Sequence, residues 1–460
     1  MKNVKIAYIG GGSKLWAHRF MQDLSLVEGL GGEVCLYDID REAAERNKCI
    51  GNRIQAHPDA VSPFAYTVAD TLADCLTGSD FVLISILPGT FKEMRSDVHE
   101  PEKYGIYQSV GDTAGPGGVL RAMRTVPIYE GFAKAIEKYC PDAWVLNLTN
   151  PMSACVKALY DSFPGIKAFG CCHEVFHTQD FLCAVLRETT GIEAKRQDIY
   201  TDASGINHFT WITEARYQEH DLMAMLPAFI EKYFESGYHH DGKHDAWKTD
   251  PFFYANRVKM DLYNRYGALG AAGDRHLAEF VNNSWYLADP KTVEHWHFGL
   301  TTVDLREQLQ EERILDSIAM AKGEKELKPE SSGEELVRML RALAGLEVLV
   351  SNVNMPNVGQ MPGMPLGSIV ETNCVFTHGM VKPVTAKPLH AGALALVQRG
   401  CANVDLTCEG IRERNLDKLF AAFMNQALCS NLRPEDGRKL FDTMCENTRE
   451  YLAPYFPQFA

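Results

Sequence analysis

The chain has 460 residues, with 60 acidic against 46 basic side chains and a formal net charge of −14. Apolar residues make up 46% and charged residues 23%, a balance that excludes wholesale disorder. Without a Lys/Arg block, an acidic chain is a poor match for nucleic acid or an anionic membrane surface, and no apolar run approaches the ~20 residues that span a bilayer.

In chain order, short apolar runs at residues 5–9, 34–37, 81–86, 144–148 and 166–169 read as strands. Each is followed by a turn and a helical pattern, as at residues 40–46. Near-continuous apolar strands alternating with helices predict a parallel sheet covered on both faces, with chemistry at the carboxyl ends of the strands. From about residue 198 the character changes. Residues 198–217 read as a strand pair, 221–269 and 331–349 as helical, and 352–367 as a Gly/Pro/Met-rich stretch. An apolar strand at 368–371 and an amphipathic helical region at 416–451 follow. The thirteen cysteines, an odd number without framework spacing, predict a reducing compartment. The amino terminus enters a strand pattern without an apolar leader, so a cytoplasmic protein is expected.

The first strand runs into Gly10-Gly11-Gly12-Ser13, ahead of a helical stretch. Glycines there let the backbone turn tightly and approach a pyrophosphate, which a helix N-terminus holds through free N–H groups and its dipole. Leu15 occupies the third glycine position of the dinucleotide fingerprint, which weakens the motif. The second strand ends at Asp38, whose carboxylate suits ribose hydroxyls and repels a 2′-phosphate, favouring NAD over NADP. The expected organisation is therefore α/β: a Rossmann-type doubly wound sheet over residues 1–200 that binds NAD. A C-terminal α+β domain over residues 201–460 would carry substrate, catalytic and oligomerisation functions.

The last parallel strand leads into Cys171-Cys172-His173-Glu174-Val175-Phe176-His177. His173-Glu174-x-x-His177 matches a zinc-protease pattern, but a strand-to-helix turn of a nucleotide-type sheet is an unusual place for it, and two helix-surface histidines are the better reading. The alternative pairs Cys172 with His208, a thiolate and an imidazole able to hold a divalent metal while leaving positions open for substrate oxygens. The segment His239–His244 reads as a solvated loop rather than a second metal site.

Taken together, Ile9–Ser13, Gly111–Gly118, Asn147–Pro151, Cys172–Val175, Gly205–His208, Gly273–His276 and residues 352–371 resemble glycoside hydrolase family 4, the NAD- and metal-dependent glycosidases, over nearly the whole chain. The resemblance implies a fold like that of the lactate/malate dehydrogenase superfamily. It implies that Cys172 and His208 ligate Mn²⁺, which chelates sugar O2 and O3. Asn150 and Arg95 would contact the sugar, and His173 would donate a proton to the leaving group. Asp274 would remove the C2 proton with support from Asp112, although some members use tyrosine, and Tyr266 lies close in sequence. The implied reaction is transient C3 oxidation by NAD⁺, C2 deprotonation, elimination and water addition. Cys172-His173-Glu174-Val175 is similar to the members acting on α-galacturonides, so the implied partner is a uronide oligosaccharide and the implied assembly a homodimer or homotetramer. Family members acting on α-glucosides, α-galactosides or α-glucuronides are the nearest alternative. A lactate/malate-type dehydrogenase, a zinc protease and a non-catalytic NAD sensor stand further off.

Overall fold

The computed structural model describes residues 1–460. Its strands are β1 (Lys2–Ile9), β2 (Leu30–Tyr37), β3 (Phe64–Val68), β4 (Phe81–Ile84), β5 (Trp144–Asn147), β6 (Lys167–Gly170), β7 (Tyr200–Ile206), β8 (Phe209–Tyr217), β9 (His220–Asp221), β10 (Leu269–Gly270), β11 (Leu349–Pro356), β12 (Ile369–Thr377) and β13 (Met380–Pro383). Six of them pair in parallel in the order β3-β2-β1-β4-β5-β6. This is the doubly wound Rossmann order, with its reversal of direction, and hence its crevice, between β1 and β4. The sheet then continues antiparallel through β11, β12, β7, β8 and β10 without interruption. It therefore runs unbroken across the division expected near residue 200.

The central parallel strands are buried on both faces, which is why they read as continuous apolar runs: Phe81–Ile84 is buried throughout. A sixth parallel strand, β3, lies at the sheet edge, where Phe64 and Tyr66 face inward and Ala65 outward; its half-polar alternation escaped the search for apolar runs. A 25-residue helix, Gly115–Tyr139, fills the space behind β4 and β5, and almost every residue of its first half is buried.

The second half departs from expectation in three places. Residues 221–269 form two helices, Leu222–Tyr233 and Arg257–Tyr266, because left-handed Gly237 and Asn256 break the helical path between them. Residues 331–349 contain only the helix Leu336–Leu343; left-handed Gly345 ends it, and Leu349 opens β11. Residues 416–451 are interrupted before Pro434, which starts the helix Pro434–Asn447. No helix is long and apolar enough to cross a membrane.

Candidate active site

The glycine-rich turn is built by close backbone approach. Gly10 has φ +85°, and a Cβ there would lie 2.0 Å from the Ser85 carbonyl oxygen, so no side chain fits. The Gly10 and Gly11 N–H groups both donate to the Tyr37 carbonyl, at 2.9 and 3.0 Å. The Asn47 amide donates to the carbonyls of Gly11 and Ser13, at 2.7 and 2.9 Å, and so pins the turn from behind. Asp38 Oδ2 accepts the Gly12 N–H at 2.8 Å, which binds the second strand end to the first. These residues border a cleft of about 760 Å³ that runs past Gly10, Ser13, Asp38 and Ser85 to Asp112 and Asn150. The helix Trp16–Ser25 starts beside it; the Trp16 N–H donates to Ser13 Oγ at 3.2 Å, and the N–H groups that follow in the first turn face the N-terminal end, where an anion is favoured. Gly10, Gly12, Ser13 and Asp38 thus share one wall suited to a dinucleotide, with Gly11 packed behind it against Leu36.

At the far end of the cleft a second cluster gathers. Asp112 Oδ1 accepts from the Thr113 hydroxyl at 2.7 Å and Oδ2 from the Asn150 amide at 3.3 Å. Thr113 Oγ1 also meets His208 Nδ1 at 3.1 Å, which leaves Nε2 of that imidazole for a ligand. Burial would raise the Asp112 carboxyl, but Arg121, His208 and His276 outweigh it and hold it well below the usual carboxylate range. His208 belongs to the two-residue turn between β7 and β8 and sits at φ +63°. A non-glycine residue there costs about 1–3 kcal/mol, a strain that marks functional positions. Burial lowers the His208 pKa, against the pull of Asp112 and Glu174.

Cys172 follows β6 and is buried among Met152, Val156 and Ile369. Burial, then Glu371 and Glu174, push its thiol well above the usual range. A cation reverses that penalty, because a thiolate surrounded by carboxylates is stable only beside positive charge. Asn207 lies next to the thiol, yet neither its Nδ2 nor its Oδ1 finds a partner, and Asn150 Oδ1 is likewise buried and unpaired. Unpaired buried amides beside a thiol and an imidazole are the donor set expected of a site that a divalent ion and a polyhydroxy ligand complete. No three His, Cys, Asp or Glu side chains converge into a metal cage.

Glu174 begins the helix Glu174–Thr190. Its Oε2 accepts the Gly273 N–H at 2.7 Å, and its Oε1 lies 3.6 Å from His276 Nε2 and 3.7 Å from His173 Nε2. Burial would raise this carboxyl, but the surrounding imidazoles hold it well below the usual range. The helix N-terminus adds to that effect. Glu174 is therefore a strut for the Gly273–His276 segment, not a free water-activating base, and the zinc-protease arrangement is absent. His173 is partly exposed, packed against Trp16 with ring centroids 5.5 Å apart and planes tilted by 41°, and has Glu334 3.8 Å from its Nδ1.

Asp274 is wholly buried. Its Oδ1 accepts the Lys259 N–H at 3.0 Å and so caps the helix Arg257–Tyr266, while Oδ2 has no partner. Burial raises the carboxyl to about 6 against those N–H groups. Tyr266 packs against Trp211 and Gly392.

Arg95 requires correction: it is not brought to the cluster. Its guanidinium lies 2.7 Å from Asp304 and 2.8 Å from Glu307, in a surface ion pair with the helix Val303–Lys322. The reading of His239–His244 also changes in part, since His239 is buried against Phe253 and Tyr254. Residues not singled out as site residues complete the cluster. They are Thr113, His276 and Glu371, which lie inside segments already noted, and Arg121 and Glu279, which lie outside them. Glu279 accepts the N–H groups of Val110 and Gly111 at 2.7 and 2.9 Å and so shapes the turn that presents Asp112.

Comparison with known proteins agrees with this geometry. Residues 5–188 match the description of a family 4 glycosyl hydrolase, and residues 203–429 that of the family's C-terminal domain. An α-galacturonidase of Thermoanaerobacterium saccharolyticum is 50% identical over 98% of this chain and 97% of its own. A crystal structure of a Bacillus subtilis protein named as a glucosidase superposes with a TM-score of 0.92 at 44% identity, covering 96% of this chain and all of that one. A 6-phospho-α-glucosidase from gut microorganisms, solved in complex with NAD and Mn²⁺, shares the fold with a TM-score of 0.80 at 18% identity, covering 98% and 99% of the two chains. A match of this extent, over both halves of one continuous sheet, places the chain in glycoside hydrolase family 4.

Proposed function

We propose that this hydrolase cleaves α-galacturonides with NAD⁺ and Mn²⁺ as resident groups. The observation that carries the proposal is the junction of two half-sites. A dinucleotide wall, Gly10–Ser13 with Asp38, opens along one cleft onto Asp112 and Asn150, which lead through Thr113 to His208. Cys172 and His208 would hold the cation, and the glycine turn the pyrophosphate. Bound there, the nicotinamide supplies a hydride acceptor and donor for C3, and the cation a Lewis acid toward the sugar oxygens.

The chain's own residues divide the remaining work. The Asn150 amide, with one oxygen unpaired, hydrogen-bonds a sugar hydroxyl while Asp112 orients it from behind. His173, with Glu174 3.7 Å from its Nε2 and Glu334 3.8 Å from its Nδ1, donates a proton to the departing oxygen; burial lowers its pKa against the pull of Glu174, so the proton is readily given up. Asp274 takes the C2 proton through its unpaired Oδ2, its other oxygen being fixed by the Lys259 N–H. A carboxyl tuned upward by burial is a better base near neutral pH than an ordinary aspartate. The α-galacturonidase relative, with 50% identity over nearly the full length, supports the uronide as substrate. All thirteen cysteines are free, which supports action in a reducing cytoplasm.

Gel-filtered enzyme should release galacturonate from a nitrophenyl α-galacturonide only when NAD⁺ and Mn²⁺ are both restored, with deuterium entering at C2 in heavy water. Full hydrolysis without either addition would overturn the proposal. Asp274→Asn keeps an oxygen to cap the helix but removes the base. Turnover should then drop by about a hundredfold or more, with unfolding barely changed. In the parent enzyme the base must be ionised, so kcat should decline as pH falls through about 6. An Asp274→Asn enzyme that retains most of its turnover would reduce Asp274 to a helix cap.

A further inference from the structure

Three guanidinium groups, those of Arg121, Arg275 and Arg306, lie within electrostatic reach of Asp112. Arg121 and Arg275 are buried and Arg306 is partly buried. None of the three comes within 4.0 Å of a carboxylate oxygen, whereas the other buried arginines do: Arg124 is paired with Asp97 and Arg196 with Glu335. Buried cations without a partner are costly and are retained where something else supplies the counter-charge. The neighbouring carboxylates are spent elsewhere: Glu279 accepts the Val110 and Gly111 N–H groups, and Glu174 the Gly273 N–H.

The three arginines are not equivalent. Arg121 donates through Nε to the Asn150 carbonyl at 3.2 Å and lines the dinucleotide cleft. Arg306 spends Nη2 on the Val110 carbonyl at 2.6 Å and Nε on the Thr301 carbonyl at 3.2 Å. Arg275 spends only Nη2, on the Thr301 hydroxyl, and its Nε is buried without a partner. Its backbone is clamped from two directions: the Ser109 hydroxyl donates to the Arg275 carbonyl, and two residues earlier the Gly273 N–H donates to Glu174. The guanidinium rests over the Phe252 ring, 5.0 Å from its centroid. A donor held this firmly and left unpaired is preorganised for a planar anion.

We infer that Arg275 reads the carboxylate of the sugar, and that Glu174 is a positioning residue that holds the Gly273–His276 segment in place for it. This rests on the galacturonide reading above. It also explains how an acidic residue can stand close to where an anionic substrate binds: its carboxylate is engaged by the Gly273 N–H and lies beside the His276 and His173 imidazoles.

The test compares nitrophenyl α-galacturonide with the neutral α-galactoside, in enzyme supplied with NAD⁺ and Mn²⁺. Arg275→Gln should lower kcat/KM on the uronide by about a hundredfold or more, mostly through KM, and on the galactoside by less than about tenfold. Arg275→Lys keeps the charge but not the fork, and should restore part of the preference. It also carries the test if the glutamine variant does not fold, since it should still cut the uronide-to-galactoside ratio by about tenfold. Equal losses on both substrates, or an unchanged ratio, would overturn the inference and leave the reaction assignment standing. A parent enzyme with no preference for the uronide would overturn the substrate reading and this inference with it.

Discussion

Replacing Cys172 by serine should cut metal-dependent turnover by about a thousandfold or more and weaken Mn²⁺ binding by at least about tenfold, with little loss of stability. Serine is nearly isosteric with cysteine, so the contacts with Met152, Val156 and Ile369 survive the change. The chemistry does not. A thiol among buried carboxylates can still ionise when a divalent cation arrives, whereas a serine hydroxyl cannot at neutral pH. Electron paramagnetic resonance of added Mn²⁺ reads the affinity without reference to turnover, and thermal unfolding reads the fold. Unaltered Mn²⁺ affinity in Cys172→Ser would remove this residue from the metal site even if activity had fallen.

Asp112→Asn should be almost as damaging, for a different reason. One carboxylate accepts from Thr113 and Asn150 and provides the shared counter-charge to Arg121 and Arg306. Asparagine keeps one acceptor oxygen but loses the charge, leaving guanidinium groups without compensation. Breaking a buried charge cluster from one side costs about 3–5 kcal/mol. The expected outcome is a melting temperature lower by several degrees, together with kcat/KM reduced by about a hundredfold or more. Metal affinity should fall less than in Cys172→Ser, because His208 remains in place and loses only the Thr113–Asp112 relay behind it. A variant that melts and turns over like the parent would show Asp112 to be a passive turn residue.

The features legible before the fold was known are those that local chemistry determines. The glycine turn and Asp38 are close in sequence and are joined directly by the Gly12 N–H, so one βαβ unit carries the whole signal. The central strands were visible because burial on both faces leaves no polar alternation. β11 was not visible, since Asn352 and Asn354 are buried on it and Pro356 ends it, a composition that reads as a loop. Long-range pairing set the limit for individual site residues. Arg95 looked available for substrate until the helix Val303–Lys322 brought Asp304 and Glu307 against it. Glu174 had no explicable role until Gly273, 99 residues away, appeared as its donor.

The eleven-strand path from β10 to β3 has a mechanical consequence. Backbone ladders tie the strand end that presents the dinucleotide turn to those that present Cys172 and His208, so the two cannot part like the jaws of a clamp without tearing the sheet. The sheet is thus a rigid floor that keeps the glycine turn and the strand ends before Cys172 and His208 in register with one another.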